Sequence, residues 1–183
     1  MPTEISGSTG VNKIQDGTVQ LGDLANGVGG ITHADFWRMG TDFSASTIAP
    51  ILNWISHTGT NVAHLGTAMS YSSGVFTFPT TGIWKVGIMF NIYKAGDTRQ
   101  QEGRIVTTSN NGGGWTTVST CDMNTNQGGE GSNVHSSGYC EVFLDITDTA
   151  NQKVRFDAQG TASVTWYGGA GRFNASFFRL GDT

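Results

Sequence analysis

Gly74-Val75-Phe76-Thr77-Phe78-Pro79-Thr80-Thr81-Gly82-Ile83-Trp84-Lys85-Val86 is the stretch on which the fold turns. Phe76 and Phe78 alternate with threonine, so one side of the segment is apolar, as in a half-buried strand. Pro79 and Gly82 then close a tight turn. Beyond it the alternation resumes across residues 83–93. Trp84, Val86, Ile88, Phe90 and Ile92 face one way, and Lys85, Gly87, Met89, Asn91 and Tyr93 the other. Two such runs joined by a turn predict consecutive strands of an antiparallel sheet.

The same pattern extends outward. Residues 48–55 form an apolar run interrupted by Pro50, which predicts an irregular or edge strand. Further strands are expected over residues 104–108, 115–121, 139–146, 153–158, 162–167 and 172–180. Cys140, Val142, Leu144 and Ile146 share one face, and Val154 and Phe156 point inward. No ten-residue stretch has helical periodicity, although residues 21–25 could make one turn. No internal repeat is visible. The expected fold is all-β, a jelly-roll sandwich of about ten strands over residues 35–183, preceded by an extended arm over residues 1–34.

Composition agrees. The chain has 27 glycines in 183 residues, roughly twice the usual share, and only 13% charged residues, about half of it. Ten Phe, five Trp and four Tyr are too many aromatics for a disordered chain. No long apolar run predicts membrane insertion. The ten basic residues balance against fourteen acidic ones to a net charge of -4, and none adjoins another. A nucleic-acid partner needs a clustered positive footprint, so none is expected.

The arm has no aromatic before Phe36 and only isolated apolar residues: Ile5, Val11, Ile14, Val19, Leu21 and Leu24. Such a segment cannot bury enough surface to fold alone. It is either a disordered tail or an assembly anchor whose apolar residues dock on other chains, and we read it as the anchor. Met1-Pro2-Thr3-Glu4 lacks the features of an export signal, which leads us to expect synthesis in the cytoplasm for use outside the cell. Virus particles released by lysis fit that expectation.

The stretch from Gly74 to Val86 resembles the G-x-F-x-x-P-x-x-G-x-Y/W-x-F pattern of the complement component 1q globular-head family. That family shares its jelly roll with the tumour necrosis factor ligands. Trp84 stands at the usual Tyr position and Val86 at the usual Phe position. Val142-Phe143-Leu144-Asp145-Ile146, Val154-Arg155-Phe156 and the closing Phe173-Asn174-Ala175-Ser176-Phe177-Phe178 are similar to later strands of such domains. The resemblance covers roughly residues 36–182 and implies a homotrimer. Ile5-Ser6-Gly7-Ser8-Thr9-Gly10-Val11, with Ile14-Gln15-Asp16-Gly17-Thr18-Val19 and Leu24-Ala25, resembles the start of virion fibre proteins of marine tailed phages, notably cyanophages. It implies a phage fibre or knob, located in the virion, that docks on tail or capsid proteins and touches host surface polysaccharide. A tail or capsid decoration protein without a receptor is the alternative.

Catalytic signatures are absent from the sequence. His33, His57, His64 and His135 do not fall at metal-ligand spacings, and no G-x-S-x-G, H-E-x-x-H or phosphate loop occurs. Gly112-Gly113-Gly114 reads as a hairpin tip. The segment beginning at Asp122 fails as an EF-hand, with Gln127 at the sixth position and Asn133 at the twelfth. No cofactor is expected, although a looser calcium site in the loops stays open. Asp145, Asp148 and Asp157 are expected to be solvated at strand ends and turns, so no enzyme is expected, a polysaccharide depolymerase included. Residues 124–137 are expected to form the longest loop. Trp115, Asn126, Tyr139 and Tyr167, near turns or that loop, are the candidate ligand contacts. Cys121 and Cys140 flank it. If their strands pair as a hairpin the thiols come within bridging distance, and a disulfide or a reduced pair both fit.

Overall fold

The computed structural model describes residues 30–57, 59, 62–126, 133–160, 164–169 and 171–183. The anchor residues Ile5, Val11, Ile14, Val19, Leu21 and Leu24 lie outside the described residues, as does the turn expected over residues 21–25. A compact unit spans Ile31–Thr183. It is all-β, with thirteen strands: β1 (His33–Met39), β2 (Phe43–Ser44), β3 (Ala49–Pro50), β4 (Trp54–Ser56), β5 (Ser70–Ser72), β6 (Val75–Thr77), β7 (Gly82–Ala95), β8 (Thr98–Thr108), β9 (Thr116–Thr125), β10 (Asn133–Ile146), β11 (Lys153–Gly160), β12 (Thr165–Trp166) and β13 (Asn174–Gly181). The count exceeds the expected ten because β2, β3 and β12 are two-residue pieces. Strand β1 begins at His33, inside the segment assigned to the arm.

The strands form two antiparallel sheets. One has β7 at its centre, with β10 along one side and β13, β1 and β4 along the other; β12 and β2 continue it beside the last turn of β7. The second sheet has the order β5-β6-β11-β8-β9, with β3 added to β11. As expected from Pro50, the apolar run over residues 48–55 is broken into two short strands, and β4 lies at an edge.

Between the sheets lies an aromatic core. Phe76 is its hub, fully buried. Its ring centroid lies 5.0–5.7 Å from those of Trp37, Trp54, Tyr71, Phe156 and Phe177. All five inward residues of β7, from Trp84 to Ile92, are buried, as the alternation predicts. The indole N–H groups of Trp37, Trp54 and Trp84 donate to Asp35, the Ile51 carbonyl and the Thr80 carbonyl, so these rings are buried without losing their hydrogen bonds.

Three expectations need correction. The loop of residues 124–137 is much shorter, because β9 runs to Thr125 and β10 starts at Asn133. Strands β9 and β10 do not pair as a hairpin: β9 pairs with β8 and β10 with β7, in different sheets. Asp157 is not at a solvated turn. It is buried within β11 and paired with Arg155.

Candidate functional site

The outer face of the first sheet carries the largest exposed aromatics. Because β7 pairs with both β10 and β13, side chains line up in rows across four strands. One row reads Phe143, Lys85, Phe178, Ala34; the next Glu141, Gly87, Ser176, Phe36; the third Tyr139, Met89, Asn174, Arg38. Tyr139 is 54% exposed and Phe143 59%. Between them a polar clasp closes on Glu141, which accepts from Lys85 Nζ at 2.7 Å and from Tyr139 Oη at 2.8 Å. The Lys85 bond, then that of Tyr139, holds the Glu141 carboxyl below its ordinary value. Burial, and then donation to Glu141, pushes the Tyr139 phenol up to about 12. Tyr139 is mid-strand, not near a turn as its neighbouring glycine-rich segment led us to expect. Two exposed aromatics flanking a charged clasp on one sheet face make it the candidate interaction surface.

The four candidate ligand contacts are not brought together. Strands β1 and β7 both run antiparallel to β13, which places the start of β1 beside the Gly82 end of β7. The chain therefore enters the sandwich at that end. Trp115 is there too, since the ends of β8 and β10 and the start of β11 converge on it. Asn126 and Tyr167 lie toward the opposite end. Asn126 borders an open groove of about 570 Å³ with Asp97, Arg99, Asp122 and Asn124. Tyr167 packs with Tyr93 and His135 at ring-centroid separations of 5.1 and 5.6 Å, and the Arg172 guanidinium lies 4.8 Å from its ring centroid. Tyr167 thus has one ring face already covered. Tyr139 belongs to the aromatic sheet face.

Cys121 and Cys140 meet across the two sheets as free thiols, joined by a hydrogen bond. That bond from Cys121, with help from Ser119, holds Cys140 below the ordinary thiol value against its burial. The same bond, and then burial, pushes Cys121 up. Cys140 is therefore the thiol that ionises first. Asp148 serves as a turn acceptor for the Ala150 and Asn151 amides. Among the described residues no group of three His, Cys, Asp or Glu is placed to hold a metal. No described helix is long and apolar enough to cross a membrane.

The sequence reading missed Lys85, Glu141, Tyr93 and His135. Alternation had put Lys85 and Tyr93 on the solvent side of β7, but which β10 residues faced them depended on the register.

Two antiparallel sheets in this order define a jelly-roll sandwich of the tumour necrosis factor type. The chain is similar to Eiger TNF from S. frugiperda, with 15% identity, a TM-score of 0.57, and coverage of 82% of this chain and 93% of that one. It is also similar to murine APRIL, with 10% identity, a TM-score of 0.50, and coverage of 81% and 99%. At these identities the likeness is one of fold. No protein-family model and no curated protein matches the sequence.

Proposed function

We propose that this chain is a non-enzymatic structural protein of a bacteriophage virion. In this reading it is a homotrimeric fibre or knob whose residues 1–34 dock on the particle and whose jelly-roll head contacts the host surface. The exposed face around Tyr139 and Phe143 carries it. A weakly charged, glycine-rich chain leaves two large aromatics in water on one sheet face, and a second and third copy would cover them. A closed cyclic arrangement buries such a patch on every subunit and leaves no sticky edge. The arm's resemblance to phage fibre proteins supplies the particle. The groove at Asn126 and the Tyr167 cluster are the candidate contacts for a host glycan.

The reading is tested by deleting residues 1–30, which leaves β1 whole. The truncated head should remain a folded trimer that no longer joins particles; assembly of the truncated protein into particles contradicts the anchor. Binding of the purified full chain to host cells supports adhesion. No binding, together with particles that fall apart without the protein, selects the decoration role. Release of reducing ends from host polysaccharide would make it an enzyme.

A further inference from the structure

Where the chain enters the sandwich, a cavity of about 400 Å³ opens between the β8–β9 and β10–β11 turns, with Trp115 in its wall. We propose that it is a saccharide-binding site, with Trp115 as the platform for one face of a pyranose ring. The proposal goes beyond the adhesive reading above, since it stands on this cavity alone and lies at the other end of the head from Asn126 and Tyr167.

The platform is fixed before any ligand arrives. The Arg155 guanidinium lies 4.3 Å from the Trp115 ring centroid. Arg155 is itself held by two hydrogen bonds, of 2.8 and 2.9 Å, to the buried carboxylate of Asp157. One ring face is thus occupied, and the rest of the half-buried indole forms cavity wall.

Both turns are rigid too. Thr108 Oγ1 donates to Asn110 Oδ1 and accepts from the Asn110 and Gly112 amides, and Asn110 Oδ1 also accepts from Gly114. Gln152 Oε1 accepts from the Thr147 and Asp148 amides while its Nε2 donates to the Asp145 carbonyl. The Asn111 amide joins one turn to the other through the Asn151 carbonyl at 2.9 Å. A site ordered on folding spares a ligand that entropic cost.

The remaining lining selects the ligand class. Lys153 and the Asn110 side-chain amide offer donors, and Thr107 and Thr116 offer hydroxyls that donate and accept. Sugar hydroxyls each donate and accept, so this mixture suits them. A phosphorylated ligand would need clustered cations, yet Arg155 is committed to Asp157 and, among the described residues, Lys153 is the one basic side chain lining the cavity. A lipid chain would need walls more apolar than Trp115, Leu144 and Ile146 among polar neighbours. The volume lies within the range of small-ligand clefts, about 300–1,000 Å³.

The test is NMR on the full chain with methyl glycosides of glucose, galactose, mannose, N-acetylglucosamine and rhamnose. At least one should receive saturation transfer concentrated on one ring face and shift the Trp115 indole N–H saturably. W115A should abolish the saturation transfer and W115F retain part of it. K153M should weaken the affinity about tenfold, the effect of losing one charge-assisted hydrogen bond. If no glycoside moves the Trp115 signal, or if binding survives unchanged in W115F and K153M alike, the proposal is overturned.

Discussion

The phenol of Tyr139 lies over Gly87 of the neighbouring strand, in the space a β-carbon on residue 87 would fill. Sheet register alone sets Glu141, not Tyr139, opposite Gly87. Tyr139 therefore leans one row along the face to reach it, and its hydroxyl completes the clasp on Glu141. Gly87→Ala should swing the phenol off the sheet and break that bond. Its signature is a Tyr139 ionisation returning toward the ordinary tyrosine value of about 10, read by phenolate absorbance with Y139F as the blank.

In the native chain that phenol titrates at about 12. The raised value means that the neutral phenol is favoured in the folded state. Its contribution to stability is complete below the ordinary tyrosine value and is lost as pH rises through about 12. Glu141 has the opposite sign. Its lowered value keeps the clasp intact above 4.5 and loses it as pH falls through the lower folded value. Thermal unfolding against pH should show both flanks, and E141Q should reduce the acidic one, to which Asp148 also contributes.

Cys121 and Cys140 should cross-link the two sheets on oxidation. With oxidised glutathione, the Cys140 thiolate attacks a glutathione sulfur and releases one glutathione thiolate. Cys121 then displaces the second, leaving a Cys121–Cys140 bond. Both thiol titres should vanish together, and C121S should instead trap a mixed disulfide on Cys140. Thiol titres unchanged in excess oxidant would contradict this. In the chain-entropy model a bridge closing a loop of this size adds about 3 kcal/mol of stability.

Asp35 is a buried carboxylate that accepts from the Trp37 indole at 2.8 Å, from the Met69 amide at 2.8 Å and from the Phe36 amide at 2.9 Å. Asp35→Ala strands the first two donors in the core. The expected loss is about 3 kcal/mol, since an unsatisfied buried donor costs about 1–3 kcal/mol. Denaturant melts at fixed protein concentration measure it, and D35N should recover part of the loss.

Gly103 on β8 faces Phe90 across the sandwich, and a β-carbon there would meet the ring at 2.5 Å. Gly103→Ala should therefore destabilise by about 1–3 kcal/mol, the usual cost of overpacking. A pair with Phe90→Leu should recover some of it.

Much of the core was legible because alternation needs no partner. Phe76, Phe78 and the inward face of β7 are buried where the sequence put them. The first halves of β8 and β10 were not legible. Apart from Thr98 and Val134, residues 98–103 and 133–138 are polar or small and of low strand propensity, and they become strands because β9, β11 and β7 complete their hydrogen bonds. The same blindness to pairing hid the clasp, which depends on Lys85 and Glu141 from strands far apart in sequence. Trp115 was legible as a candidate, but its fixing by Arg155 and Asp157 depends on the pairing of β8 with β9 and β11.

Sedimentation equilibrium of the full chain beside Phe143→Glu tests the self-associating face most directly. The native chain should sediment at three times its 19.4 kDa monomer mass, and the variant, with a charge at the β10 end of the rows, as a folded monomer. A native monomer, or a Phe143→Glu trimer of undiminished affinity, would contradict the assignment.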